Sequence, residues 1–249
     1  MQNFEVFEQH TAAPFSYFGL THPFFLVNTT TILFTWIVLA IIIGLIPVCR
    51  YALNNKNSVL RFALLMAIKE FKALAIQTLG RFQRAPFMFA ASLFIVIFLC
   101  NILSLIPWLE EPTADVNTAL AFGISSFIYI QAAAIRAHGL RAYISDYFAP
   151  FFLLFPLNVI GELASIVSIS FRLFGNIFGG AIISRLWMSA ISGSVPLELL
   201  GIISGINLTL TLFFGLFEGF IQAFVFAMLS LTYLSMALSG DEESEGESA

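Results

Sequence analysis

Glu162, Arg172 and Glu218 carry charge deep inside apolar sequence. Holding a charge at the middle of a bilayer costs about 2.5–3.5 kcal/mol on insertion scales, so such residues mark an ion or substrate path by default. Their chemistries differ. The two carboxylates can take up and release protons, whereas an arginine does not deprotonate in a protein and acts as a fixed positive gate. Gly161, Ser165, Ser168, Arg172, Asn176 and Gly179 recur at three- or four-residue spacing and make one narrow face of a helix. Asn207, Thr211, Gly215, Glu218 and Gln222 make a comparable stripe. Small residues on a membrane helix admit a second helix closely, and two such stripes facing one another would line a water-accessible groove. The structural alternative is an Arg172–Glu218 pair that only neutralises charge.

The elements that must hold these residues are membrane helices. The chain has 249 residues, 59% hydrophobic and 10% charged, with a mean hydropathy of +0.92. That is too little polar surface for a soluble fold, and several apolar runs are long enough to cross a bilayer. The net charge of -4 is weighted by the acidic tail. No basic surface of useful size exists, which excludes nucleic acid as a partner. Cys49 and Cys100 lie in apolar runs and read as small buried hydrophobes; neither a zinc site nor a disulfide framework is supported, and no metal or cofactor is expected. No basic segment precedes an apolar one at the N-terminus, so no cleavable signal peptide is expected.

The whole of 1–249 reads as one all-α integral membrane domain with about five membrane-crossing helices. An outer N-terminal segment, 1–30, contains Glu5 and Glu8 without a basic residue. Spans follow at 31–49, 86–108 and 118–135. Between the first two, 58–84 holds Arg61, Lys69, Lys72, Arg81 and Arg84 at mostly helical spacing, the pattern of an amphipathic helix lying in the interface. The stretches 148–187 and 195–238 each run to roughly 60 Å if helical, twice the hydrocarbon thickness. Each is either two spans joined by a disguised turn or one long tilted helix. The second reading is adopted, with a hairpin turn at Ser192–Pro196; Pro150 and Pro156 could break off a short segment at the start. The acidic tail, 239–249, is solvated.

Basic residues set the orientation. The 50–85 segment and the loop with Arg136 and Arg141 belong on the cytoplasmic, matrix or stromal side, and the loop with Glu110, Glu111 and Asp115 faces the other way. His22 and His138 read as surface or interfacial residues. The glycosylation patterns at Asn28 and Asn207 read as chance. No internal repeat is evident, which weighs against an inverted-repeat transporter.

At this point the motifs themselves carry a resemblance. Ser170-Phe171-Arg172-Leu173-Phe174-Gly175-Asn176 resembles the signature of subunit a of rotary F-type ATP synthases. Pro112-Thr113-Ala114-Asp115-Val116-Asn117-Thr118, Pro156-Leu157-Asn158-Val159-Ile160-Gly161-Glu162 and Gly219-Phe220-Ile221-Gln222-Ala223-Phe224-Val225-Phe226 agree in order, and Thr21-His22-Pro23-Phe24 is similar to the family's N-terminal segment.

The resemblance implies a non-catalytic stator subunit beside a rotating ring of c subunits, whose mid-membrane carboxylates are loaded and unloaded through two offset half-channels. Arg172 matches the family's essential arginine, which keeps the passing carboxylate ionised and prevents short-circuit leakage. Asn176 and Gln222 match polar positions flanking it, and Asp115, Asn117 and Glu162 match positions near the half-channels. The c-ring, the peripheral-stalk b subunits, other ATP synthase subunits and the lipid bilayer are the implied partners. The implied location is the bacterial plasma membrane, with an organellar inner or thylakoid membrane as the alternative.

Two departures from the family pattern stand out. Ala181 occupies a position where many relatives carry glutamate, and Ser165-Ile166 stands near the usual Lys-Pro. Glu218, one turn before Gln222, is the candidate replacement for the missing carboxylate. Protons are the ion adopted, although the family's coordinating site lies mainly on the c subunit. A stand-alone secondary transporter and a membrane scaffold with merely paired charges remain the competing readings.

Overall fold

A computed structural model describes residues 11–12, 27–55, 58–106, 109, 111–141, 143–144, 155–192, 201 and 205–239. The expectations for Glu5, Glu8, His22, Glu110, Pro150, the turn beyond Ser192 and the acidic tail fall outside the described residues.

Helix α1 spans Thr29–Asn54, α2 Val59–Leu79, α3 Arg84–Ile102 with a 3-10 turn at Leu103–Leu105, α4 Val116–His138 and α5 Phe155–Ile191. The last run is α6, Ile206–Thr211, then a π-helical segment, Leu212–Glu218, then α7, Gly219–Ser239. Among the described residues, five helical segments are long and apolar enough to cross a membrane. The molecule is an all-α integral membrane protein. Among the described residues, the one departure is a two-residue antiparallel pairing of Thr11–Ala12 (β1) with Val27–Asn28 (β2).

Local chemistry places the helix ends. The Asn28 side chain caps α1 by accepting from the Thr30 backbone N–H at 3.0 Å, and Asp115 caps α4 through the Asn117 N–H at 2.9 Å. Arg136 and His138 occupy the last turn of α4, where the helix dipole favours positive charge. Gly80, with φ of 70°, ends α2 in the left-handed conformation that glycine adopts without strain.

Helix α5 is continuous for 37 residues, about 56 Å at 1.5 Å per residue. Pro156 does not break it because it sits in the first turn, where its missing N–H has no partner to lose. The last run is antiparallel to α5. Ile169 and Leu173 share a core with Ala223 and Phe226, and Gly180 packs on Phe214. Helix α7 lies at the centre, against α3, α4, α2 and α5. Ala90, Ala119 and Ala223 are nearly or fully buried at these contacts. Lipid tails are as apolar as leucine, so close packing of small residues, rather than apolar burial, holds such helices together.

Candidate functional site

Leu173 is fully buried, packed among Leu93, Ile97, Ala223 and Phe226. Arg172 precedes it by one residue, so its side chain leaves the helix about 100° round the axis, and it is exposed. It makes no hydrogen bond or ion pair among the described residues, and neither does half-buried Glu218. The two are not a neutralising pair in this structure.

The stripe around Arg172 is open. A Cβ placed on Gly161, Gly175 or Gly179 would meet nothing within 4 Å. Ser168 is exposed, and Asn176 is half-buried. The second stripe turns elsewhere: a Cβ on Gly215 would stand 2.6 Å from the Ser104 hydroxyl, and one on Gly219, the residue after Glu218, would stand 2.8 Å from Asn101 Cβ. The expectation that the two stripes face one another is therefore corrected. The close backbone approach allowed by glycine is to α3. Gln222 is buried, Thr211 is exposed, and the Asn207 side chain lies outside the described residues.

Polar chemistry gathers instead in two places. The first is a cavity of about 520 Å³ between α4, α5 and α7, lined in part by Ser126, Gln131, Tyr143, Glu162, Ser165 and Ser230. Gln131 donates to the Glu162 carboxylate at 2.8 Å, and the Tyr143 hydroxyl donates to the Gln131 carbonyl at 2.6 Å. Ser230 bonds Ser126 at 3.3 Å. His138, half-buried, lies 3.2 Å from the Ala237 carbonyl at the same end. The cavity's far end reaches Gly123 and Ile169, three residues or roughly 4.5 Å of helix rise from Arg172. Beside it, the buried Ser170 hydroxyl has no hydrogen-bond partner among the described residues and abuts Gly123.

The second place lies at the opposite end of the bundle. Asn101, 1% exposed, donates to the Gly219 carbonyl at 3.1 Å and accepts from the Thr113 hydroxyl at 3.0 Å. Ser104 donates to the Asn101 carbonyl at 2.8 Å. Glu111, half-buried on the following loop, is pushed up to about 7 by burial, with a hydrogen bond from Ser104 opposing part of that rise. Asp115 accepts from the Thr31 hydroxyl at 3.3 Å, tying α1 to this loop. Asn117 is exposed. Gly219 immediately follows Glu218, which places Glu218 beside the cluster.

Arg172 stands at a level between the two. Its neighbours Ile169 and Leu173 meet α7 at Ala223 and Phe226; the Asn101 cluster meets the same run one to two turns away, at Gly215 and Gly219. Glu162 lies on the other side, ten residues or roughly 15 Å back along α5. Of the residues expected from sequence, Glu162 joins the first group, Glu218 borders the second, and Asp115 and Asn117 sit at its loop. Asn101, Ser104, Glu111, Thr113, Gln131 and Tyr143 were not anticipated as site residues. A lone amide within an apolar span was the available signal for Asn101 and Gln131; Tyr143 offered none.

The ATP synthase A chain family model matches residues 32–235. The chain is 34% identical over 211 residues to ATP synthase subunit a of Moorella thermoacetica, covering 85% of this chain and 91% of that protein. It is 31% identical over 236 residues to ATP synthase subunit a of Desulfosudis oleivorans, covering 90% and 93%. It is 32% identical over 233 residues to ATP synthase subunit a, sodium ion specific, of Propionigenium modestum, covering 86% and 75%.

Proposed function

This chain belongs to the ATP synthase A chain family, and we propose that Arg172 is its electrostatic divider, standing between two ion routes that open to opposite sides of the membrane. The chain is a multi-pass membrane protein and an ion-translocating stator subunit, not itself catalytic, that works with other ATP synthase subunits.

The observation that carries the divider role is the open, unpartnered position of Arg172. A guanidinium in a bilayer needs a counter-charge, and none of the described residues supplies one. A passing c-ring carboxylate does. Facing an arginine, that carboxylate is held ionised, so it cannot carry its proton straight across. Gly161, Gly175 and Gly179 leave the face clear for ring helices.

The cavity with Glu162, Gln131 and Tyr143 is the inner route, on the side of the basic loops. Glu218, Gln222 and the Asn101 cluster form the outer route, with Asp115 and Asn117 at its mouth and Asn176 flanking the divider. Glu218 supplies the titratable group absent at Ala181. Gly180 packs on Phe214, so Ala181 lies beside the π segment that ends in Glu218. The coupled ion is the proton, the rotor partner is the c-ring, and b subunits hold the stator in a bacterial plasma membrane. The membrane potential supplies about 2.3 kcal/mol per charge per 100 mV.

The test is ATP-driven pumping by the reconstituted complex with and without sodium. Sodium-independent acidification is expected, and strict sodium dependence would overturn the proton assignment. Glu218→Gln is expected to stop pumping; normal pumping by that variant would remove Glu218 from the route.

A further inference from the structure

We propose that Glu111, rather than Asp115, is the acid that binds and releases the translocated proton at the outer mouth, with Ser104 orienting its carboxyl toward the Asn101–Thr113 cluster. This rests on the proton-conducting reading above and assigns the titrating group of its outer route.

The two acids of this loop have different duties. Both carboxylate oxygens of Asp115 are engaged: Oδ1 accepts from the Asn117 N–H at 2.9 Å and Oδ2 from the Thr31 hydroxyl at 3.3 Å. Asp115 is thereby committed to capping α4 and tying α1 to the loop. Glu111 takes part in the loop through its backbone, its carbonyl accepting from the Ala114 N–H at 3.0 Å. Its side chain is free of that task and meets Ser104.

Ser104 makes the connection inward. It stands against Gly215, where a Cβ would come within 2.6 Å of its hydroxyl. It also bonds the Asn101 carbonyl at 2.8 Å. A hydroxyl has one proton to donate. When Glu111 is ionised, Ser104 can give that proton to the carboxylate. When Glu111 is protonated, the carboxyl becomes the donor to the Ser104 oxygen, and the serine proton is left for Asn101. The buried network thus registers the charge state of the mouth. Asn101 in turn holds Thr113 and the Gly219 carbonyl, next to Glu218.

Among the described residues, the titratable groups on the surrounding elements are Cys100 on α3, Asp115 on the same loop, Glu218 on the π segment and Arg185 toward the end of α5. Burial, not a cation, dominates the behaviour of Glu111 and leaves it close to neutrality, where an acid exchanges protons in both directions most readily. Uptake forms one O–H bond on the carboxylate as one in hydronium breaks. Release returns that proton to water on the way to the Glu218 carboxylate.

The experiment measures passive proton conductance from the outer side, as a function of pH, in sodium-free liposomes holding the whole complex. Glu111→Gln is expected to lower conductance about tenfold and flatten its pH profile near neutrality, a modest share of the effect of a positioned acid–base group because water bypasses it. Glu111→Asp should recover most of the rate, and Asp115→Asn, whatever it does to the absolute rate, should keep the step in the profile near neutrality. A Glu111→Gln profile unchanged within twofold, or the loss appearing in Asp115→Asn instead, overturns the assignment. If Glu111→Gln does not assemble, infrared titration of the isotope-labelled Glu111 carboxyl in the wild type decides: protonation lost near neutrality supports it, and full ionisation at about pH 5.5 overturns it. Arg172→Ala in the same liposomes separates the two claims, since retained coupling there defeats the divider reading whatever Glu111 does.

Discussion

Gln131 donates its amide nitrogen to Glu162 at 2.8 Å, tying α4 to α5 at the inner end of the bundle. The Tyr143 hydroxyl, at 2.6 Å, fixes the other end of the same amide. The amide is therefore oriented before any ion arrives, and a hydrogen bond to a charged acceptor is stronger than a neutral one. Gln131→Leu, similar in size but without the donor, is expected to cost about 1–3 kcal/mol of interaction with the carboxylate and to slow proton passage on the inner side by about tenfold. Tyr143→Phe should have a smaller effect of the same sign. ATP-driven pumping compared with passive conductance from each side measures both.

Arg172→Ala should abolish coupled ATP synthesis without harming the fold. The side chain is exposed and bonds nothing described, and substitutions at such positions usually stay within about ±0.5 kcal/mol. Assembly with the ring, followed by native electrophoresis, should persist, while leak through the membrane sector rises. Arg172→Lys keeps a charge but can lose it when desolvated, and should leave only weak coupling.

Glycines on the two faces should behave oppositely. Gly219→Ala would drive a methyl to within 2.8 Å of Asn101 Cβ, prising α3 from α7 and straining the Asn101–Gly219 bond, at about 1–3 kcal/mol. Its melting temperature in detergent should fall. Gly175→Leu adds its Cβ where nothing lies within 4 Å, and leucine suits a helical backbone better than glycine. It should melt like the wild type yet assemble poorly with a ring, because the added side chain occupies the face left for the rotor.

Thr113→Val tests the outer cluster as a packed unit. The valine is nearly isosteric but leaves the Asn101 side-chain amide oxygen (Oδ1) without its 3.0 Å donor. An unsatisfied buried acceptor costs about 1–3 kcal/mol. Thermal melting should show the loss, and Thr113→Ser should restore most of it.

Glu111 also makes stability depend on pH. Its folded-state value of about 7 lies above the ordinary carboxyl value of 4.5. Between those values the folded chain holds a proton that the unfolded chain has released, so stability falls as pH rises through this window and levels off above about 7. Glu111→Gln should melt with a shallower pH slope than the wild type, measured in detergent from about pH 5 to 8.

Charge in apolar sequence is legible without coordinates, which is why Glu162, Arg172 and Glu218 stood out. Their surroundings were less so. The stripe of Gly161, Ser168, Arg172 and Gly179 was visible as spacing, but spacing does not say which neighbour a face meets. Gly215 was read as part of a stripe that could face α5, whereas it meets Ser104 in the turn after α3, and nearby Gly219 meets Asn101 of α3. Rotations of about 100° per residue separate those outcomes, and packing, not periodicity, chooses between them.

Composition and hydropathy by themselves determined the class of this protein, the long apolar helices and the three charges within apolar sequence, because a bilayer penalises every exposed polar group and makes each exception conspicuous. The ordered motifs determined the family. Only the tertiary structure decided that Arg172 faces outward while Leu173 faces the core, and that Asn101, Ser104, Glu111 and Thr113 form one cluster with the Gly219 carbonyl. Those groups come from separate segments, each unremarkable alone. Their chemistry exists only where close glycine contacts bring the segments together.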